Sequence, residues 1–227
     1  RATTLAEVAA LLDGTGLERA PVVAVSAVTG EGLDDLRDRL FAAAARFGAR
    51  REGGRFRLAV DRSFTLTGAG TVVTGTVLSG AVAIGDRLTV SPSGLSARVR
   101  GIHAQNRRAE IGRAGDRCAL NLAGDGVAKD AVRRGDIVGD PALHAPTARL
   151  DAELRVLASE AKPIGQWMPV RLHAGAAEVG ARVVLLGDAP VAPGTSALVQ
   201  LVLDRPIAAA RGDRFVLRDT SAQRTLG

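Results

Sequence analysis

The chain has 227 residues, of which 46% are hydrophobic and 24% charged, the composition of a globular protein with room for one large domain or two small ones. Thirty Lys and Arg against 24 Asp and Glu leave a formal charge of +6. No run of eighteen apolar residues and no charged-then-apolar leader occurs, so no membrane partner and a cytoplasmic location are expected.

The basic residues are almost all Arg; only Lys129 and Lys162 are Lys. Compositional bias and a polyanionic partner both account for that. The single cysteine, Cys118, excludes an internal disulfide and sits between apolar neighbours in RCALNL, as a small buried hydrophobe does. The three histidines, His103, His144 and His173, show no ligand spacing, and no metal site is expected. The chain begins at Arg1 and reads as a piece of a longer protein.

Residues 1–50 read as helix, strand, helix. Thr4 and Glu7 form a T-x-x-E capping box, VVAVSA (22–27) is a short strand, and Asp34 and Asp35 open a second helix, LDDLRDRLFAAAARF. Such a piece is too short to bury a core of its own. The polar, Gly-rich run 48–55 is a linker.

Residues 51–143 carry short β runs: FRLAVD, SFTLT, TVVTGTVL, DRLTV, ARVRGI and RCALNL. Gly85-Asp86 and Gly115-Asp116 mark turns before strands, and the spacing predicts a barrel or sandwich. GDPALHAP (139–146) reads as a second linker. Residues 144–227 repeat the pattern with LDAELRVL, MPVRLHA, AEVGARVVLL, TSALVQLVL and DRFVLRD, and Trp167 and Met168 are expected in their core. The fold is expected to be mainly β: two small barrels after an α/β stub. An acid–base doublet, Asp61-Arg62, interrupts the first apolar run. Sequence neighbours on a strand point to opposite faces, so both reach one site only at a bulge or a strand end.

The runs 56–80, 99–124, 166–186 and 214–227, in order and with fitting gaps, resemble the translational GTPases, and among them the bacterial selenocysteine-specific elongation factor. The resemblance implies two elongation-factor-type barrels after the C-terminal stub of a GTPase domain. In it, SAVTGEG is similar to a guanine-binding motif, so that Ser26 and Ala27 are a remnant of the nucleotide pocket. It also implies a parent GTPase that uses GTP and magnesium, binds selenocysteyl-tRNA and the ribosome, and meets an mRNA hairpin through further domains. No G-x-x-x-x-G-K-[ST] loop is present, so neither GTP hydrolysis nor a cofactor is expected of these residues, and no catalytic residue is assigned.

By the same resemblance Asp61, Arg62, Phe64, Thr74 and Arg117 line the aminoacyl pocket, and the two arginines favour a selenolate over the serine precursor. Asp61 would accept from the α-amino group and hold Arg62; Phe64 would stack on the terminal adenine. Arg98, Arg100, Arg107 and Arg108 would meet acceptor-stem phosphates, and Arg214, Arg218 and Arg224 the T stem; a plain solubilising role explains these two clusters as well. The rival assignments are another translation-type GTPase, similar to elongation factor Tu or to a sulfate-activating GTPase subunit, and a generic RNA- or protein-binding barrel.

Overall fold

The computed structural model describes residues 2–46, 53–68, 70–128, 130–221 and 223–227. It forms two compact units, Arg1–Arg50 and Arg51–Gly227. Most of the predicted linker 48–55 lies outside the described residues, as does Lys129.

The first unit holds α1 (Ala2–Leu12) and α2 (Leu33–Arg46). Asp34 and Asp35 stand in the first turn of α2 and pair with Arg37 and Arg39 at 3.0 and 2.8 Å. Two expectations are corrected. Thr4 lies inside α1 rather than capping it, and 22–26 is irregular chain without a ladder that enters a turn at Ala27. A strand needs a neighbour for its amide hydrogen bonds, and among the described residues of this unit there is none.

In the second unit, the chain first forms β1 (Arg57–Leu66), β2 (Gly70–Ser79), β3 (Ala81–Ala83), β4 (Arg87–Ser91), β5 (Leu95–Ala104), β6 (Arg107–Ala109), β7 (Ile111–Arg113), β8 (Arg117–Ala123) and β9 (Ile137–Gly139). The hydrogen-bonded order β4-β9-β1-β2-β8-β5 closes through a β4–β5 pairing into a six-stranded barrel, with β6 attached to β5. Its core is branched and aliphatic: Leu58, Val60, Val73, Val77, Val99, Ile102, Leu120 and Leu122 alternate inward. Cys118 is among them, 1% exposed, and a side chain on Gly112 would lie 2.7 Å from its sulfur.

β10 (Thr147–Arg155), β11 (Met168–Ala174), β12 (Ala177–Leu185), β13 (Ser196–Ile207) and β14 (Phe215–Arg218) follow as a second antiparallel sheet, ordered β10-β13-β12-β11-β14. It is half a barrel. Among the described residues no ladder joins β10 to β14; instead Ile164, Val191 and Leu226, each at most 2% exposed, plug its core. Met168 packs on that core, but Trp167 does not: it sits at φ 60° and is 52% exposed.

One turn recurs four times. In each, a Gly with φ between 90° and 98° precedes an Asp whose carboxylate accepts from the backbone N–H three residues back: Asp86 to Ala83, Asp116 to Arg113, Asp136 to Arg133 and Asp213 to Ala210, at 2.8–2.9 Å. Positive φ at the third position is the type II geometry, which Gly adopts without strain. Two of these turns join the sheets. Asp213 receives two hydrogen bonds from Arg57 of β1, and a side chain on Gly135 would lie 2.7 Å from the Cα of Ala177. The predicted linker 139–146 is a short 3₁₀ turn, Pro141–Leu143, capped by Asp140 and tied to the first barrel by a 2.6 Å bond between His144 Nδ1 and Ser91 Oγ.

Candidate functional site

The doublet sits on a bulge. Val60 pairs with Gly75 and Arg62 with Thr74, so Asp61 and Arg62 together stand against one residue of β2. The two predicted runs FRLAVD and SFTLT are thereby one strand with an extra residue, not two strands. The bulge resolves the parity problem, because the side chain of Asp61 turns to the outer face that Thr74 and Arg62 share.

There Asp61 Oδ1 accepts from Thr74 Oγ1 at 2.6 Å, and Arg117 Nη2 donates to both carboxylate oxygens at 3.1 and 2.8 Å. Arg117 arrives from the start of β8, where it pairs with Thr76. Partial burial pushes the Asp61 carboxyl up, but the Thr74 hydroxyl and the Arg117 guanidinium outweigh it and hold it below the ordinary carboxylate value. Arg62 adds charge and, among the described residues, no hydrogen bond. Asp61 therefore holds Arg117, whereas the sequence pointed to Arg62. The sequence-predicted set Asp61, Arg62, Thr74 and Arg117 thus comes together, and Phe64 stands two residues along the same face, 40% exposed.

The ladders also bring in residues that the sequence did not single out. Across the outer face, Arg62, Thr74, Ala119, His103 and Arg108 form one row and Phe64, Val72, Asn121 and Gly101 the next. The floor is small (Ala119, Gly101), and polar or aromatic side chains rim it. His103 showed no partner spacing in sequence because its neighbours come from other strands.

The comparisons with known proteins fall on these same segments. A model of the β-barrel domain of the selenocysteine-specific elongation factor matches residues 151–227, and one of elongation factor Tu domain 2 matches 70–139. The selenocysteine-specific elongation factor of Desulfomicrobium baculatum is 38% identical over 220 residues, covering 97% of this chain and 34% of the relative; that of Escherichia coli K12 is 41% identical over 211, covering 93% and 32%. The chain belongs to the selenocysteine-specific elongation factor family. It spans about a third of the length of these relatives.

Solved structures agree. Translation elongation factor SelB of Methanococcus maripaludis, in its apo form, superposes with a TM-score of 0.84 at 25% identity, over 100% of this chain and 53% of that one. A bacterial selenocysteine-specific elongation factor, EF-Sec, gives 0.75 at 27% identity, over 97% and 36%. This is a family of translational GTPases related to elongation factor Tu.

Within this elongation-factor barrel the predicted basic cluster divides. Arg107 and Arg108 lie on β6 beside Arg117, whose carbonyl accepts from Gln105 N. Arg98 instead pairs with Ala123 at the far end of β8, six residues or about 20 Å from Arg117, with Arg100 on a second bulge next to it. In the second sheet Arg214 is exposed, Arg218 Nη2 donates to Gln223 O at 3.1 Å, and Arg224 lies 3.6 Å from Glu160, whose side chain is 7% exposed. Ser26 Oγ accepts from Thr29 N at 3.2 Å, and Ser26 N donates to Glu31 O at 2.9 Å, shaping the SAVTGEG turn. Among the described residues no helix is long and apolar enough to cross a membrane.

Proposed function

We propose that this chain carries the tRNA-binding part of a selenocysteine-specific elongation factor, with Asp61, Arg62, Phe64, Thr74 and Arg117 as the aminoacyl pocket and residues 51–143 and 144–227 as two domains. The observation that supports it is the bulge at Asp61, which turns an acid and two guanidiniums to one outer face. Arg62 and the unspent N–H groups of Arg117 are donors for a selenolate, a species that a selenol forms well below neutral pH and a serine hydroxyl does not form. A charge-assisted bond of about 1.5–3 kcal/mol corresponds to roughly 10–100-fold discrimination. An Asp carboxylate has about four lone-pair sites; Thr74 and Arg117 occupy three on Asp61, leaving one for the α-amino group. Arg107 and Arg108, close to the pocket, suit the backbone of the acceptor end; Arg98, Arg100, Arg214, Arg218 and Arg224 suit phosphates farther away.

The parent protein is then a cytoplasmic GTPase that uses GTP and magnesium and delivers selenocysteyl-tRNA to the ribosome for UGA recoding, reaching the mRNA hairpin through other domains. The phosphate- and magnesium-holding loop of such an enzyme does not fit any residues of this chain, and no hydrolytic step is assigned to it. Protection of the ester bond from hydrolysis tests the pocket. One tRNA charged with selenocysteine or with serine should be protected unequally by the intact factor, and Arg62→Ala or Arg117→Ala should narrow the gap. Equal protection of both esters sinks the selectivity.

A further inference from the structure

We infer that Asn121 reads the edge of the nucleobase that stacks on Phe64; this rests on the pocket assignment above. Leu120 and Leu122 point into the barrel core, so Asn121 between them faces outward. Its carbonyl oxygen Oδ1 is covered by protein and has no hydrogen-bond partner. Buried polar atoms of folded proteins are nearly always paired, so an orphan on this face calls for a partner that the chain itself does not supply. Register fixes where that ligand lies. Asn121 pairs with Val72, and Val72 with Phe64, so the carboxamide and the aromatic ring are two strand steps, about 9–10 Å, apart on one row. On the other side of Asn121, Gly101 carries no side chain, and Arg100, on the bulge beside it, is exposed to solvent.

A purine stacked on Phe64 and lying over Val72 places its hydrogen-bonding edge at Asn121. Adenine offers an exocyclic amine as donor with a ring nitrogen as acceptor beside it, the complement of a carboxamide's oxygen and amide nitrogen. The side chain reaches it by turning about χ2, a broad two-fold torsion in Asn. A leucine in the same place would hold the base by contact alone and would not sense its amine.

The test compares selenocysteyl-tRNA ending in adenosine with the same tRNA ending in purine riboside, which lacks only that amine, in equilibrium titrations of this chain. We expect purine riboside to bind about tenfold more weakly, one lost hydrogen bond. Asn121→Leu should lose a similar factor with adenosine and nothing further with purine riboside, while its melting temperature stays level or rises because an unpaired polar atom is gone. Equal binding of the two RNAs by the unaltered chain overturns the inference, as does an Asn121→Leu protein that still tells them apart. The purine-riboside comparison needs no variant and so survives a folding defect. If Arg117→Ala also leaves binding unchanged, or if charged and uncharged ends bind alike, the pocket assignment itself has failed; an intact Arg117 effect with no amine effect isolates the failure to Asn121.

Discussion

Arg57 of the closed barrel and Asp213 of the second sheet meet through paired hydrogen bonds of 2.9 and 2.5 Å, with the Arg57 side chain 12% exposed. Burial raises the Asp213 carboxyl, but the bond from Arg57, the Ala210 N–H and the Arg57 charge outweigh it, and its pKa is lowered. A depressed folded value contributes stability that is present above the unfolded value of about 3.9 and is lost as pH falls through the folded one. Arg57→Ala should therefore cost about 2 kcal/mol at pH 7. Urea titrations at pH 7 and pH 3 should show the gap to the unaltered chain shrinking in acid.

Asp136 occupies the same place in its own turn and behaves in the opposite sense. It is 8% exposed, and burial drives its carboxyl up despite the Arg133 N–H and the nearby charges of Arg205 and Arg133. With a raised folded pKa, the favourable contribution is present below the unfolded value and is lost as pH rises through the folded one. Asp136→Asn, which keeps an acceptor for Arg133, should gain on the unaltered chain as pH climbs from 4 to 7. Thermal melts across that range check it; a parallel pair of curves would show that burial is not the governing cause.

The tie between Asp61 and Arg117 makes a claim that carboxyl-carbon NMR can read. Arg117→Ala removes two hydrogen bonds and a charge, so the Asp61 pKa should rise; Thr74→Val should raise it through its one hydrogen bond alone. Arg62→Ala should raise it least, having only charge to withdraw. An Arg62 effect larger than that of Arg117 would mean that the doublet pairs with itself after all.

Cys118 should be inert. Burial, with Asp116 nearby, pushes its thiol up to about 11, so at pH 8 about one molecule in a thousand carries the thiolate. Alkylation should be slow in the folded chain and become ordinary in denaturant; rapid labelling in buffer would show that the barrel opens.

Most of the fold was legible because it is written in local chemistry. Alternation placed the longer strands of both sheets but not the three-residue β3, β6, β7 and β9, too short to show a period, although β9 joins β4 to β1 in the barrel. Gly-Asp pairs marked the turns, although only two of the four such turns stood out. The misreadings have specific causes. The run 22–27 has strand composition but no ladder partner among the described residues of its unit. Trp167 looked like core by residue type, yet its left-handed backbone turns it outward beside Met168, which does pack inward. The candidate site was half legible. Residue type picked out the doublet Asp61-Arg62, and Arg117 entered only through the family resemblance; the bond between Asp61 and Arg117 spans 56 positions and depends on register. Ala119, Asn121 and His103 share that face only because β8 and β5 are neighbours, which no short window of sequence contains.

The bulge has one more implication. Val60 and Arg62 would alternate in regular frame if Asp61 were missing, since their partners Gly75 and Thr74 are consecutive. The carboxylate is thus an insertion in the strand rather than a replacement, and the barrel's inward set does not depend on it. A single codon gained or lost would switch an acidic site on or off while every hydrophobic position kept its side of the sheet.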